Sequence, residues 1–211
     1  MSHRFADIAF TASVREHQAR LGVASRNERL QSLGGPNDRL GPAEVQFISA
    51  RDSFYIASVS DTGWPYVQHR GGPPGFLRVL GENTLAFADF RGNTQYVSAG
   101  NLHHDGRVSL ILMDYAAKRR LKLFGRARLI EEAEDPALVA RLENPNYRAR
   151  VERAFVITVE AFDWNCPQHI TARFTEDEVR AAVEPLRARI QELEALLFSR
   201  DGPGTSGGEH G

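Results

Sequence analysis

The sequence predicts a mainly β fold, a small antiparallel barrel with helices at its ends. Short segments rich in β-branched and aromatic residues follow one another between Phe54 and Phe162, separated by Gly, Asn, Asp and Pro turns. No strand runs into a helix through Gly-x-Gly-x-x-Gly, so a doubly wound dinucleotide-binding sheet has no support.

The first fifty residues read as a helical and loop segment. Phe5, Ile8 and Phe10 precede Ser13-Val14-Arg15-Glu16, a capping-box pattern that starts a helix which Gly22 ends. Residues 25–41 are polar, contain Gly34-Gly35-Pro36-Asn37-Asp38, and read as an extended loop. Pro42 suits a first helical position ahead of Val45, Phe47 and Ile48.

The barrel domain is expected over residues 51–174. Residues 54–59 form a strand, Asp61-Thr62-Gly63 a turn and residues 65–70 the returning strand. Alternation puts Tyr66, Gln68 and Arg70 on one face. Arg70 then runs into Gly71-Gly72-Pro73-Pro74-Gly75, backbone with little side chain to block a ligand. Two short strands, 76–80 and 84–88, flank Gly81-Glu82-Asn83. Asp89 to Tyr96 is a polar turn that opens a short helix through Leu102.

Residues 108–113 are almost wholly apolar and read as a strand covered on both faces. In the next strand Lys118, Arg120, Lys122, Arg126 and Arg128 alternate with Leu121, Leu123, Ala127 and Leu129, which places a cationic stripe opposite a core face. Residues 135–143 read as a helix stopped by Asn144-Pro145-Asn146. A last strand, 155–162, delivers Asp163-Trp164-Asn165-Cys166-Pro167-Gln168-His169. Thr175-Glu176-Asp177-Glu178 caps a C-terminal helix over 175–198, with an apolar seam that buries itself against the barrel or a partner chain. Pro185 should kink or split it. Residues 199–211, rich in Gly, are expected to be disordered.

Composition narrows the function. With 26 basic and 27 acidic residues the net charge is −1, against a surface built wholly for nucleic acid. The single cysteine, Cys166, excludes an internal disulfide, and without a secretory segment the chain reads as cytoplasmic. No apolar run approaches the ~20 residues of a membrane span. A metal site is not expected, because His103 and His104 would diverge on a helix and Cys166 with His169 lacks further ligands. A Cys166–His169 nucleophile pair has no oxyanion-hole turn beside it. A flavin nucleotide accounts for more residues at once. Arg70 with its glycine loop, Asn93-Thr94-Gln95-Tyr96, and Arg120 with Lys122 would serve the phosphate and polar groups, while Trp164 would wall the ring.

These stretches resemble a known family. Gly63-Trp64-Pro65-Tyr66-Val67-Gln68-His69-Arg70, Phe87-Ala88-Asp89-Phe90-Arg91-Gly92-Asn93, Arg107-Val108-Ser109-Leu110-Ile111-Leu112 and Leu121-Lys122-Leu123-Phe124-Gly125-Arg126-Ala127 are similar, in order, to the pyridoxamine 5'-phosphate oxidase-like FMN-binding split-barrel family, nearest its flavin-nucleotide-binding subgroup. The resemblance implies a six-stranded antiparallel split β-barrel and a homodimer with FMN at the interface. Gln68, His69, Arg70 and Gly71 would meet the phosphate and ribityl chain, and Arg91, Asn93, Gln95 and Tyr96 would close over the phosphate. Arg120 and Lys122 would reach the ring, and His169, Cys166 and Arg173 are candidates on the substrate side.

Two departures bear on the reaction. Gly71-Gly72-Pro73-Pro74 replaces the apolar run ending in lysine of the vitamin B6 enzymes, and their C-terminal arginine-and-histidine signature is missing. The expectation is an FMN-dependent oxidoreductase of unknown small-molecule substrate, not a pyridoxamine phosphate oxidase. A non-enzymatic flavin storage or sensing module, or a relative that binds haem or a deazaflavin, remains the alternative.

Overall fold

The computed structural model describes residues 3–33, 35–164 and 168–200. Four helices come first: α1 (Arg4–Ala9), α2 (Ala12–Arg20), α3 (Ala24–Leu33) and α4 (Pro42–Ser49). Strands β1 (Ser53–Val59), β2 (Pro65–Gly71), β3 (Arg78–Gly81) and β4 (Thr84–Phe90) precede α5 (Val97–His104). β5 (Arg107–Asp114), β6 (Arg119–Glu131), α6 (Pro136–Leu142), β7 (Val151–Trp164) and α7 (Glu176–Arg200) complete the order. The chain divides into two compact units, Met1–Ile170 and Thr171–Gly211, and only α7 falls in the second.

The strands form one antiparallel sheet in the order β2-β1-β5-β6-β7-β4-β3. The mainly antiparallel architecture is the expected one, but the described residues give seven strands, not six. The short β3 pairs with β4 as an edge strand. On one face Phe54, Ile56, Leu85, Phe87, Leu110, Leu112, Leu121, Leu123, Phe155 and Ile157 build the main core. Side chains alternate along a strand, so Ala86, Ala88, Ala154 and Val156 point to the other face, where Val139 and Leu142 of α6 cover them.

Local chemistry sets the helix ends. Glu44 accepts a 2.9 Å hydrogen bond from Gly41 N–H and satisfies a donor left over at the start of α4, which has Pro42 at its first turn. Asp135 caps α6 through Leu138 N–H at 2.9 Å. Thr175 and Glu178 form the expected reciprocal box on α7: Glu178 N–H donates to Thr175 Oγ1 at 3.2 Å, and Thr175 N–H to Glu178 Oε2 at 2.7 Å.

Several expectations are corrected. Residues 24–33 are a helix, not loop; the stretch is mostly polar, yet Arg, Glu, Gln and Leu are good helix formers. α2 starts earlier than read, capped by Thr11. Within one chain β5 is buried on one face only: Val108, Leu110 and Leu112 are buried, while Ser109, Ile111 and Met113 are half-buried. α7 continues through Pro185 and runs to Arg200, two residues into the stretch read as a tail. The rest of that stretch lies outside the described residues.

Candidate active site

β2 positions the central residue. Its exposure alternates, with Tyr66, Gln68 and Arg70 shielded and Val67 and His69 exposed. Arg70 pairs in register with the buried Phe54, and directly paired residues share a face, so Arg70 and Gln68 lie on the core side of the sheet.

From there Arg70 Nη1 donates to Asp89 Oδ1 at 2.6 Å. Its guanidinium lies 4.9 Å from the Phe155 ring centroid and 5.7 Å from that of Phe87. β2 and β4 are separated in the sheet by β1, β5, β6 and β7. The ion pair therefore joins strands far apart in the sheet order, which requires the sheet to curl.

Asp89 is 5% exposed, and burial pushes its carboxyl above the ordinary range although Arg70 pulls the other way. Arg153, its register partner on β7, holds Nε 3.5 Å from Asp89 Oδ2 and Nη2 3.5 Å from Glu152 Oε2. Tyr96 Oη donates to Glu152 Oε1 at 3.0 Å, and that bond raises the phenol's pKa. Arg91 Nε stands 3.7 Å from the same carboxylate oxygen.

The roof of the pocket is the start of α5. Thr94 (φ 59°) and Tyr96 (φ 52°) occupy the left-handed region, where a side chain costs about 1–2 kcal/mol. Tyr96 is the N-cap residue but supplies no side-chain cap, so the first-turn N–H groups at Val97, Ser98 and Ala99 lack helix partners. Ser98 Oγ donates to Gln68 Oε1 at 2.7 Å and ties the helix start to β2. Asn101 Nδ2 donates to Ser58 Oγ at 2.9 Å and anchors the next turn to β1. Tyr66, Gln68, Arg70, Asp89, the 92–96 turn, the first turn of α5 and Glu152 line one pocket.

The donor set suits a phosphate. Arg70 Nε and Arg153 Nε are buried and, among the described residues, have no hydrogen-bond partner. A helix start without a cap adds backbone N–H groups and the positive end of its dipole. The carboxylates of Asp89 and Glu152 offset part of that charge, and Arg91 at the rim restores it.

The structure sorts the expected site residues into groups. Gln68, Arg70, Asn93, Gln95 and Tyr96 meet in this pocket, and Arg91 joins them through Glu152. Gly71 ends β2, close enough that an added Cβ would stand 3.1 Å from His69 Cε1. His69 lies on the opposite face, edge-on to Tyr55 at 5.5 Å. Pairing continues that outer row through Tyr55, Ile111, Lys122 and Asp163. Lys122 Nζ sits 2.8 Å from Asp163 Oδ2 and 4.6 Å from the Phe5 ring centroid. Arg120 shares its face, half-buried. Arg126 and Arg128 further along are paired with Glu160 and Glu134.

Trp164 does not line the pocket. Its Nε1 donates to Glu44 Oε1 at 2.7 Å, and its ring packs edge-on against Phe47 at 4.8 Å, clamping α4 to β7. His169 is exposed in a turn (φ 63°), Arg173 belongs to the second unit, and Cys166 lies outside the described residues. Sequence reasoning missed Asp89 and Arg153 as site residues. A signal existed: both fall in phase with core positions, Asp89 with Leu85 and Phe87, Arg153 with Phe155 and Ile157.

The antiparallel sheet curls around a pocket between β2 and the start of α5, and residues 40–164 match the family model described as Pyridoxamine 5'-phosphate oxidase. The chain belongs to that family. No curated protein matches the sequence. Among solved structures, HupZ of Group A Streptococcus is 14% identical over 64% of this chain and 99% of its own, with a TM-score of 0.48. A Clostridium acetobutylicum protein related to general stress protein 26 is 14% identical over 64% and 92%, with a TM-score of 0.44. An FMN-binding protein from Syntrophomonas wolfei is 14% identical over 69% and 97%, with a TM-score of 0.42. Among the described residues no helix is long and apolar enough to cross a membrane, and no group of His, Cys, Asp or Glu is placed to hold a metal ion.

Proposed function

We propose that the chain binds FMN, with the phosphate in the Arg70 pocket, and works as an FMN-dependent oxidoreductase on a small molecule. The observation that carries this reading is the unpartnered Arg70 Nε in a pocket roofed by the uncapped start of α5. Bound FMN would supply two-electron exchange with the substrate; the chain's task is to hold and orient it.

Arg70, Arg153 and the N–H groups of Val97, Ser98 and Ala99 hold the phosphate, and Asp89 keeps Arg70 in place. Gln68 and Ser98, already bonded to each other, offer an amide and a hydroxyl to the ribityl chain. The outer row explains why a homodimer belongs to the proposal. His69 and Lys122 cannot share one chain's pocket with Arg70, because they lie on the other face. Beside them Val67 is 61% exposed and Tyr55 38%, with Ile111 half-buried, an apolar surface suited to a second copy. There His69, Arg120 and Lys122 would serve a flavin held between the chains. His169, Cys166 and Arg173 stay candidates for the substrate side. Gly71 to Gly75 departs from the vitamin B6 enzymes, so pyridoxamine phosphate is not the proposed substrate.

The test is direct. Purified protein titrated with FMN should quench the flavin's fluorescence and retain its absorption near ~450 nm after desalting. Protein that takes up no added FMN refutes the proposal. Reduction of the bound flavin by NADPH or NADH would then separate an oxidoreductase from a storage module.

A further inference from the structure

The helix α7 carries an apolar seam that the FMN reading leaves unused. Val179, Val183, Leu186, Ile190, Leu193 and Leu197 recur at alternating steps of four and three, the heptad spacing. Five of the six are exposed: Val179 by 49%, Leu186 by 64%, Ile190 by 55%, Leu193 by 43% and Leu197 by 58%. We propose that α7 pairs with α7 of a second copy of this chain as a parallel, in-register, two-stranded coiled coil.

Residue type selects that occupant. The spacing puts Val183, Ile190 and Leu197 at heptad position a, and Val179, Leu186 and Leu193 at d. In the central layers Val183 and Ile190 at a alternate with Leu186 and Leu193 at d, the combination that favours two parallel strands; Val179 and Leu197 at the ends depart from it. Pro185 falls at c, on the solvent side, so its ring stays out of the seam.

Among registers that overlap the whole of α7, charge favours the parallel orientation. In the parallel register Arg189 at g faces Glu194 of the partner subunit at e, and the reciprocal pair forms by symmetry. The antiparallel register that would oppose Arg180 to Glu194 also opposes Arg187 to itself, like charge against like. Within its own helix Arg189 bonds Glu192 at 2.5 Å, an exposed pair of little net worth that Glu194 of the partner subunit can displace. This inference goes beyond the FMN reading and does not rest on it, since no residue of the anion pocket takes part.

Cross-linking of the full chain tests it. With Cys166→Ser as background, Ile190→Cys and Leu186→Cys place one thiol each in the seam, and Ala188→Cys places one at the outward position f. The expected result on oxidation is a reducible covalent dimer for both seam variants and none for Ala188→Cys. A mixture of Val183→Cys and Leu193→Cys that cross-links only as the mixed pair would show an antiparallel coil and overturn the proposal. Absence of dimer at both seam positions, in variants that keep the parent's circular dichroism, would show that α7 does not pair in parallel and in register, and would overturn the proposal. FMN titration of the same variants reads the other proposal separately.

Discussion

Asp89 sits between two arginines, yet burial dominates its titration. The folded carboxyl titrates above its ordinary 3.8. The sign follows from linkage: a group that binds its proton more tightly when folded adds stability that is complete below the unfolded pKa and is lost as pH rises through the folded one. Asp89 therefore favours the fold most in acid and progressively less above 3.8. A carbon-detected NMR titration of its carboxyl should give a midpoint above 3.8; a midpoint at or below it would show that the Arg70 ion pair outweighs burial. Legibility at this scale was uneven. Arg70 stood out because glycines follow it and its strand alternates cleanly. Asp89 hid in a stretch that read as a polar turn, and the hydrogen bond from the Trp164 indole to Glu44, 120 residues away in sequence, had no local signal.

Among the elements, the long pairing of β6 with β7 holds the widest stretch of the sheet, and its register shifts between Phe124 and Gly125. A Cβ on Gly125 would lie 2.6 Å from Thr158 O and 2.9 Å from Ile157 Cγ2, contacts with backbone and a packed side chain that have little room to give. Gly125→Ala should cost about 1–3 kcal/mol of unfolding free energy, measured in urea. Gly100 in α5 meets nothing within 4 Å, and Gly100→Ala should instead add roughly 0.4–1 kcal/mol. Equal effects from the two would contradict the packing argument. Alternation of Leu121 and Leu123 with Lys122 made the strand and its faces readable beforehand. The bulge was not, because one extra residue changes pairing without changing composition. α3 was missed for the opposite reason: helix propensity without an apolar face gives no periodic signal.

For the whole molecule, the sheet's curl brings Arg70 on β2, Asp89 on β4, Arg153 on β7 and the start of α5 to one place. Antiparallel class and strand succession were legible, since each depends on neighbours in sequence. The composition of the pocket was only half legible, since it depends on strand order, which puts His69 and Lys122 outside and Arg153 inside. The central claim is that this pocket holds the phosphate of FMN. It is tested most directly by dissociation constants of FMN and of riboflavin, which lacks the phosphate, for the parent protein and for Arg70→Ala. The account expects Arg70→Ala to weaken FMN binding by about 1.5–3 kcal/mol, roughly one to two orders of magnitude, and to leave riboflavin binding unchanged. An unchanged FMN constant, or an equal loss for both ligands, would contradict it.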